Sequence, residues 1–559
     1  MQIILMVFYM KRKAFIISII SMVLLLLIIL LSVPINTNAR ILIKDKDNNE
    51  IAYLINANKS NLINPNEINE EYLSYILAIE DKDFYSHNGF SIKRIIKSFF
   101  SNITSNNAEG ASTITQQYIK NTYLSNEKKI SRKLVEIYLA IKLENKMEKN
   151  EILNEYLASI YFGHSIYGLK NAARYYYNKE IKDLSKKEMI SFIALWNAPT
   201  IYSNNLEKWN KKKNQIAKIL LDKRLIQSSY DEIITPIELN INTSYINSNR
   251  MFYIDQVINE FNSLSYCGKF NELITINTKY NPKTEVISKE LDISYSIIGL
   301  DKTGYYTCCI GDQNYYKSSF NIAMNGIRDI GSTIKPILYY EAIKCGFENT
   351  TYISSPYSFT YKNKLTTITN SNSNYFNKIN MRTALAVSDN IYAIKIHLNL
   401  GMYTLVNHLK KYNITSSPYP SLALGSVGMS LNHLARIYFQ FFSEGYYIKP
   451  RFISSINGLK TVVSKEIIND ISIINKIKLL LEAPFDSTIP HSTCGYLSYR
   501  LKDKCYGKSG LTDYDSYLIG FNENNLYAVW CGNINNNKLT NSTYKALPKE
   551  LFIEAMNIN

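Results

Sequence analysis

Cysteine is scarce: there are seven, at 267, 308, 309, 345, 494, 505 and 531 of 559 residues. They keep none of the spacings of a zinc module, which excludes one. In an oxidising compartment some can pair, Cys494 with Cys505 being the nearest plausible couple, and the odd number leaves one thiol over. The other reading is small buried hydrophobes. Acidic residues are also short, 47 Asp+Glu against 63 Lys+Arg, a net charge of +16. That balance asks for an anionic partner such as nucleic acid, anionic lipid or a phosphorylated substrate. Charged residues at 20% exclude a polytopic transporter, and 46% hydrophobic residues exclude wholesale disorder. No internal repeat is visible. The length accommodates about three domains, or two large ones.

Long apolar runs are missing too, with one exception. Residues 14–34 carry no charge and include Met22-Val23-Leu24-Leu25-Leu26-Leu27. About 20 such residues span a bilayer as a helix. Lys11, Arg12 and Lys13 precede the run. Positive flanks stay cytoplasmic, so residues 1–13 form an inside tail and the rest of the chain lies outside. A cleaved signal peptide is the alternative, with Thr37-Asn38-Ala39 as a weak cleavage site. The run is longer than a usual signal core, which favours a single-pass anchor. An exported, anchored chain does not meet nucleic acid, so membrane phosphate becomes the expected anionic partner.

Residues 35–240 read as an all-helical domain. Leu134, Tyr138 and Ile141 share one helix face, and Ile152, Leu153, Tyr156 and Leu157 continue the pattern. Residues 241–290, rich in Asn, Thr and Ser, read as a linker with short strands. Residues 291–559 alternate strands with helices and read as an α+β domain. Two hairpins are expected there, around Asp301-Lys302-Thr303-Gly304 and around Asn522-Glu523-Asn524-Asn525.

Three polar segments stand out in the helical half: Glu80-Asp81-Lys82-Asp83-Phe84-Tyr85-Ser86-His87-Asn88-Gly89, then Gly110 to Asn121, then Arg132-Lys133-Leu134-Val135-Glu136. Two glutamates beside a hydroxyl- and amide-rich stretch suit glycosyl chemistry, one carboxylate as general base and the other orienting or balancing charge. Lys120, Lys128, Arg132 and Lys133 suit a phosphate leaving group. His87 lacks the spacing of a zinc ligand pair. In order and spacing these segments resemble glycosyltransferase family 51, the peptidoglycan polymerases. Glu80, Asp81, Phe84, His87 and Gly89 match its first block. Gly110 to Asn121 match the second, apart from Ala111. Arg132, Lys133 and Glu136 match the third, and Lys149, Ile152, Leu153, Tyr156 and Leu157 the fourth, with Ala158 in place of Asn. Ser91 and Lys97 also depart, from Asp and Arg.

The resemblance implies a lysozyme-like glycosyltransferase fold acting on lipid II. Glu80 is then the base for the attacking sugar hydroxyl. Glu136, Lys120 and Arg132 lie near the donor pyrophosphate, with Ser112, Gln116, Gln117, Asn121 and Lys128 as further binding residues. A divalent cation at this site is a family expectation alone, because no metal-ligand spacing is present.

The second half carries Ser332-Thr333-Ile334-Lys335, then Ser388-Asp389-Asn390, then Lys508-Ser509-Gly510. On a helix i and i+3 share a face, so Lys335 is placed to reach Ser332, and a desolvated lysine can serve as base for a serine nucleophile. Ser-x-x-Lys alone is cheap, since Ser125 and Lys128 match it by chance. The three motifs in this order resemble the penicillin-binding proteins and serine β-lactamases. Phe320-Asn321, Arg382 to Leu385 and Ser421 to Gly425 narrow the resemblance to the transpeptidase domain of class A penicillin-binding proteins. It implies a helix-flanked antiparallel sheet with Ser332 as nucleophile, Lys335 as its base and Ser388 as proton carrier. Asn390 holds the donor peptide, while Lys508, Ser509, Gly510 and Thr512 line the carboxylate end. The oxyanion hole is expected from the backbone amides of Ser332 and Leu511.

Leu511 is the departure that matters, for the family places a hydroxyl there. Asp329-Ile330 also replaces the usual Gln-Pro. The whole reads as a bifunctional peptidoglycan synthase needing no cofactor. Its expected partners are lipid II, nascent glycan, stem peptides, β-lactams, the membrane and proteins of the cell-wall machinery. Its rivals are a polymerase whose second domain is weak or only binds, and a β-lactam-hydrolysing or sensing protein.

Overall fold

The computed structural model describes residues 13–25, 28, 35–37, 39–55, 58–60, 68–94, 112–124, 130–164, 166–242, 248–287, 291–315, 318–371, 373–535 and 537–558. They form two compact units, one from residues 1–43, 50–246 and 266–275, the other from 44–49, 247–265 and 276–559. Residues 13–25 are helical, with Phe15, Ile17 and Met22 exposed. The expected anchor at 14–34 runs on into residues mostly outside the described set. No helix among the described residues is long and apolar enough to cross a membrane.

The first unit is not all helical. Strands Arg40–Lys44, Glu50–Ile55 and Asn58–Ser60 precede the helices, the last two paired antiparallel. Ile51, Ala52, Tyr53, Leu54 and Ile55 are all buried, so this stretch is a covered strand with no helical period to read. From Glu70 to Ile233 the described elements are helices and 3-10 turns. Helices Ile114–Tyr123, Ile130–Glu144 and Lys149–Ser159 pack together around Tyr118, Ile119, Val135, Leu139, Ile152 and Tyr156.

The second unit is built on a five-stranded antiparallel sheet. In spatial order its strands are Tyr506–Leu511, Asp515–Phe521, Asn525–Gly532, Ser294–Asp301 and Tyr306–Ile310. Both expected hairpins are here. Leu518, Val529, Ile297 and Tyr295 pack on Leu551 and Phe552 of the C-terminal helix Ser542–Asn557. The alternate residues Ile519, Ala528 and Ile298 are equally buried, with helix Leu431–Phe442 packed against these strands. Burial on both faces explains the continuous apolar runs in the sequence. Strand Tyr506–Leu511 is the edge, and it carries Lys508 to Leu511.

The linker expected at 241–290 contains a 16-residue helix, Ser248–Ser263. Its Phe252, Tyr253, Val257 and Phe261 are buried, Tyr253 against Tyr280 and Phe452. Asn259 and Asn262 are exposed on the other faces and interrupt the helical period. No disulfide joins any of the seven cysteines, and Cys494 and Cys505 are buried in the core that also holds Phe552.

Candidate active sites

In the first unit Glu80 ends the helix Glu70–Glu80, whose start Asn69 caps. Its carboxylate is held from both sides. Gln117 Nε2 donates to Oε2 at 3.0 Å and Trp196 Nε1 donates to Oε1 at 2.9 Å. Gln117 is itself fixed, because the Tyr156 hydroxyl donates to its Oε1 at 3.1 Å. Burial holds the Tyr156 phenol well above its ordinary pKa, with the Glu80 and Asp81 charges adding to it, so this donor stays protonated.

Asp81 anchors the local backbone. The Ile114 amide donates to Oδ2 at 2.9 Å, His87 Nε2 stands 2.9 Å from the same oxygen, and Arg94 Nη1 donates to Oδ1 at 2.8 Å. Burial alone would raise its pKa. The His87 and Ile114 hydrogen bonds and the His87 and Arg94 charges outweigh that and hold it below the usual carboxylate value. Arg94 also donates to the Glu80 carbonyl at 2.8 Å and the Ser112 carbonyl at 3.2 Å. Ser112 Oγ accepts from Lys133 Nζ at 2.8 Å, and Lys133 pairs with the buried Glu136. A continuous chain of contacts therefore joins the two glutamates: Glu80, Arg94, Ser112, Lys133, Glu136.

The second site forms where Gly331–Ile334, a single 3-10 turn, meets the buried helix Lys335–Lys344. Ser332 lies on the turn and is partly exposed. Lys335 is fully buried. Its Nζ reaches Ser388 O at 2.8 Å, Ser388 Oγ at 3.3 Å and Asn390 Oδ1 at 2.9 Å. Lys508 Nζ donates to the same Ser388 Oγ at 2.9 Å and to Ser509 O at 2.7 Å. Ser388 thus stands between two lysines. It adopts φ +59°, a left-handed conformation that costs a non-glycine residue about 1–2 kcal/mol. Asp389 supports it by capping the helix Asn390–Leu400 through the Tyr392 amide at 2.6 Å. Asn370 braces the same turn, donating to Asp389 Oδ2 at 2.7 Å and accepting from the Asn390 amide at 2.8 Å.

Burial lowers the pKa of Lys335 far below its ordinary value, the nearby Lys508 charge adds to this, and Asp389 opposes it weakly. Burial also lowers Lys508, to about 7. A neutral Lys335 spends its N–H bonds on two carbonyl oxygens and keeps a lone pair for a proton. The backbone is packed tightly around the turn. A methyl on Gly425 would stand 1.9 Å from the Gly331 carbonyl oxygen, and one on Gly510 would stand 2.7 Å from Thr333 Cγ2. The Leu511 amide nitrogen lies 3.1 Å from where a Gly331 Cβ would be.

Family models match both halves, Transglycosylase over residues 47–221 and penicillin binding protein transpeptidase domain over 300–517. Across both, the chain is 30% identical to penicillin-binding protein 2D of Bacillus subtilis, covering 88% of this chain and 76% of that relative. The chain belongs to the class A penicillin-binding proteins. Penicillin-binding protein 1F of the same organism is 29% identical, covering 88% of this chain and 73% of the relative. The fold is similar to the crystal structure of penicillin-binding protein 1A from Haemophilus influenzae, with a TM-score of 0.57, 15% identity, and 93% and 92% of the two chains covered. This class A penicillin-binding protein makes peptidoglycan with two enzymatic activities, glycosyl transfer and transpeptidation.

Several residues of the penicillin-binding protein stand elsewhere than their motifs suggest. Gln116 is buried and closes a capping box with Thr113 at the start of helix Ile114–Tyr123, so its side-chain oxygen serves the backbone. Thr512 Oγ1 accepts from the Tyr514 and Asp515 amides at 3.1 and 2.9 Å and closes the turn after the edge strand. Gly510 admits the Thr333 side chain, which seats the strand on the Ser332 turn. No hydrogen bond joins Lys335 Nζ to Ser332 Oγ among the described residues; Lys335 turns to Ser388 and Asn390 instead. Lys120 and Asn121 are exposed on the last turn of the helix that bears Gln117, while Arg132 is partly buried at the start of the next helix. Lys128, Lys97, Gly110 and Ala111 lie outside the described residues. Sequence reading misses Arg94, Trp196 and Asn370. Trp196 is 116 residues from Glu80 and belongs to no motif.

Among the described residues the carboxylates of the polymerase site are already engaged. Both Glu80 oxygens and both Asp81 oxygens accept from nitrogen donors, and Glu136 is paired with Lys133. No cluster of three His, Cys, Asp or Glu side chains fit for a metal exists among the described residues.

Proposed function

We propose that Glu80 is the general base of glycosyl transfer and Ser332 the nucleophile of transpeptidation. In the first reaction, Glu80 takes the proton of an acceptor sugar hydroxyl. That oxygen bonds to the anomeric carbon of a lipid-linked donor as the bond to the pyrophosphate breaks. The observation that supports this role is the pair of N–H donors from Gln117 and Trp196, which aim and hold the carboxylate. Lys133, anchored by Glu136 and Ser112, supplies positive charge for the departing pyrophosphate, together with Lys120, Lys128 and Arg132. Lipid II fits as the substrate because it joins a sugar, a pyrophosphate and a membrane lipid. Residues 14–34 then anchor the enzyme beside it, the N-terminus inside and both catalytic units outside.

In the second reaction, Ser332 Oγ attacks the penultimate carbonyl of a stem peptide. Its proton passes to neutral Lys335, and the terminal D-alanine leaves with a proton delivered through Ser388. A second stem peptide's amine then takes the acyl group. The supporting observation is Ser388 Oγ within reach of both lysines. Asn390 holds the peptide amide. Lys508 and Ser509 hold the terminal carboxylate, beside an edge strand open to an extended peptide. β-Lactams acylate the same serine.

Intact mass after exposure to a β-lactam, beside a Ser332→Ala control, tests the second site. A single adduct lost in the control supports it; no adduct in a protein that still polymerises lipid II overturns it. Glu80→Gln should abolish polymer formation and leave the adduct in place. Membrane retention through alkaline carbonate washing should vanish when residues 1–34 are deleted.

A further inference from the structure

Two residues outside both family-matched stretches, Arg40 and Asn271, converge on the helices that carry the polymerase site. Glu155 is buried, 3% exposed, in the helix Lys149–Ser159. Arg40 donates to its Oε1 through Nε at 3.1 Å and Nη2 at 2.6 Å, and the Tyr53 hydroxyl donates to the same oxygen at 2.6 Å. Tyr118 of the helix Ile114–Tyr123 donates to Oε2 at 3.3 Å. The third nitrogen of Arg40, Nη1, donates to Asn271 Oδ1 at 2.9 Å and to its carbonyl at 3.2 Å. That Oδ1 also accepts from the Tyr123 hydroxyl at 2.9 Å. The neighbouring Phe270 ring packs 5.0 Å from Tyr123, and Lys142 of the helix Ile130–Glu144 lies 5.0 Å over it.

One hub thus ties together three helices. The first bears Gln117, the second Glu136 and the third Tyr156, the residue next to Glu155 that orients Gln117. We propose that Arg40 and Asn271 are positioning residues for glycosyl transfer. They fix the helix Ile114–Tyr123 against Lys149–Ser159, so that Gln117, bound by Tyr156, presents its N–H to Glu80. The segment 266–275 is therefore a working part of the polymerase, although it stands after residue 240. A buried carboxylate with one cationic partner gives such a hub a single stable arrangement, because either partner alone is costly. A displacement of about 1 Å in a catalytic group can cost on the order of 100-fold in rate.

This inference rests on the assignment of Glu80 as base, and the experiment separates the two. In the full-length protein, Asn271→Leu removes the one side-chain oxygen that accepts from both Arg40 and Tyr123. Asn271→Asp keeps Oδ1 and tolerates the residue's φ of +62°. The expected result is a fall of about tenfold or more in kcat for lipid II polymerisation by Asn271→Leu. KM and Ser332 acylation should stay unchanged, and Asn271→Asp should recover the rate to within about twofold. Tyr123→Phe, which keeps the ring packing, should lower kcat in the same direction if Asn271→Leu fails to fold. An unchanged kcat in a folded Asn271→Leu or Tyr123→Phe protein overturns the inference. So does an equal loss in Asn271→Asp. Glu80→Gln is run alongside: an active Glu80→Gln protein overturns the base assignment and the inference with it, whereas an inactive one leaves a null Asn271 result to count against the positioning role alone.

Discussion

Replacing Leu511 by threonine should make this enzyme capture penicillin faster. Side chains two apart on a strand share a face, so Leu511 stands beside Ser509 on the edge strand Tyr506–Leu511. It is 45% exposed and pairs with Ser516 across the ladder. A carboxylate held there by Lys508 and Ser509 meets a leucine that has nothing to donate. A hydrogen bond to a charged group is worth about 1.5–3 kcal/mol. At this exposure water competes for the carboxylate, so the lower end applies, about 1.5 kcal/mol or roughly tenfold. Stability should barely move, since the site is open and threonine favours strands. The assay is the second-order rate constant for labelling Ser332 with a fluorescent penicillin. Leu511→Val controls for β-branching without a hydroxyl. Leu511→Thr should exceed the parent about tenfold while Leu511→Val stays near it. Equal rates in all three proteins would refute the claim that the missing donor limits capture.

Other consequences follow from the same geometry. Lys508, lowered by burial to about 7, is charged below that pH and neutral above it in the free site. Non-covalent binding of a penicillin to Ser332→Ala protein should therefore weaken about tenfold per pH unit as pH rises above 7, and a flat Kd would exclude Lys508 as the carboxylate's partner. Asn370→Leu strips a donor from buried Asp389 and an acceptor from the Asn390 amide. It should cost about 1–3 kcal/mol in denaturant unfolding and slow Ser332 acylation, and parental behaviour on both counts would deny the brace. Alkylation before unfolding should modify Cys267 and Cys345, the two exposed thiols, and all seven after unfolding without reductant. A mass short by two alkyl groups would reveal a disulfide.

The hairpins at Asp301 to Gly304 and at Asn522 to Asn525 were legible because turn residues separate uniform apolar runs, a purely local signal. Ser332, Lys335, Ser388 and Lys508 were legible as a set because the order of their three short motifs resembles one family. What each side chain touches was not. Gln116 and Thr512 sit in motif positions, yet their polar atoms serve a helix cap and a turn, an outcome fixed by neighbouring backbone amides. Trp196 meets Glu80 only after 116 residues of chain have packed, and no spacing rule reaches that far; Arg94 lies 14 residues on but meets the Glu80 backbone carbonyl, which no side-chain pattern marks. The helix Ser248–Ser263 was hidden by its asparagines, whose low propensity is overridden by the buried face of Phe252, Tyr253, Val257 and Phe261.

The contact between Gly425 and the Gly331 carbonyl separates what can drift in this enzyme from what cannot. Main chain lies against main chain there, so the nucleophile's turn owes its place to two residues that have no side chain to mutate. Exposed rim positions such as Asp329 and Leu511 are relieved of that duty. A lineage under drug selection can therefore rework the rim one substitution at a time, altering which acyl donors enter, while Ser332 stays where it is. Any single-base change at Gly425 that adds a side chain would collide with the Gly331 carbonyl and disable crosslinking. Escape from an inhibitor should accordingly be found along the strand edge and never at this pair of glycines.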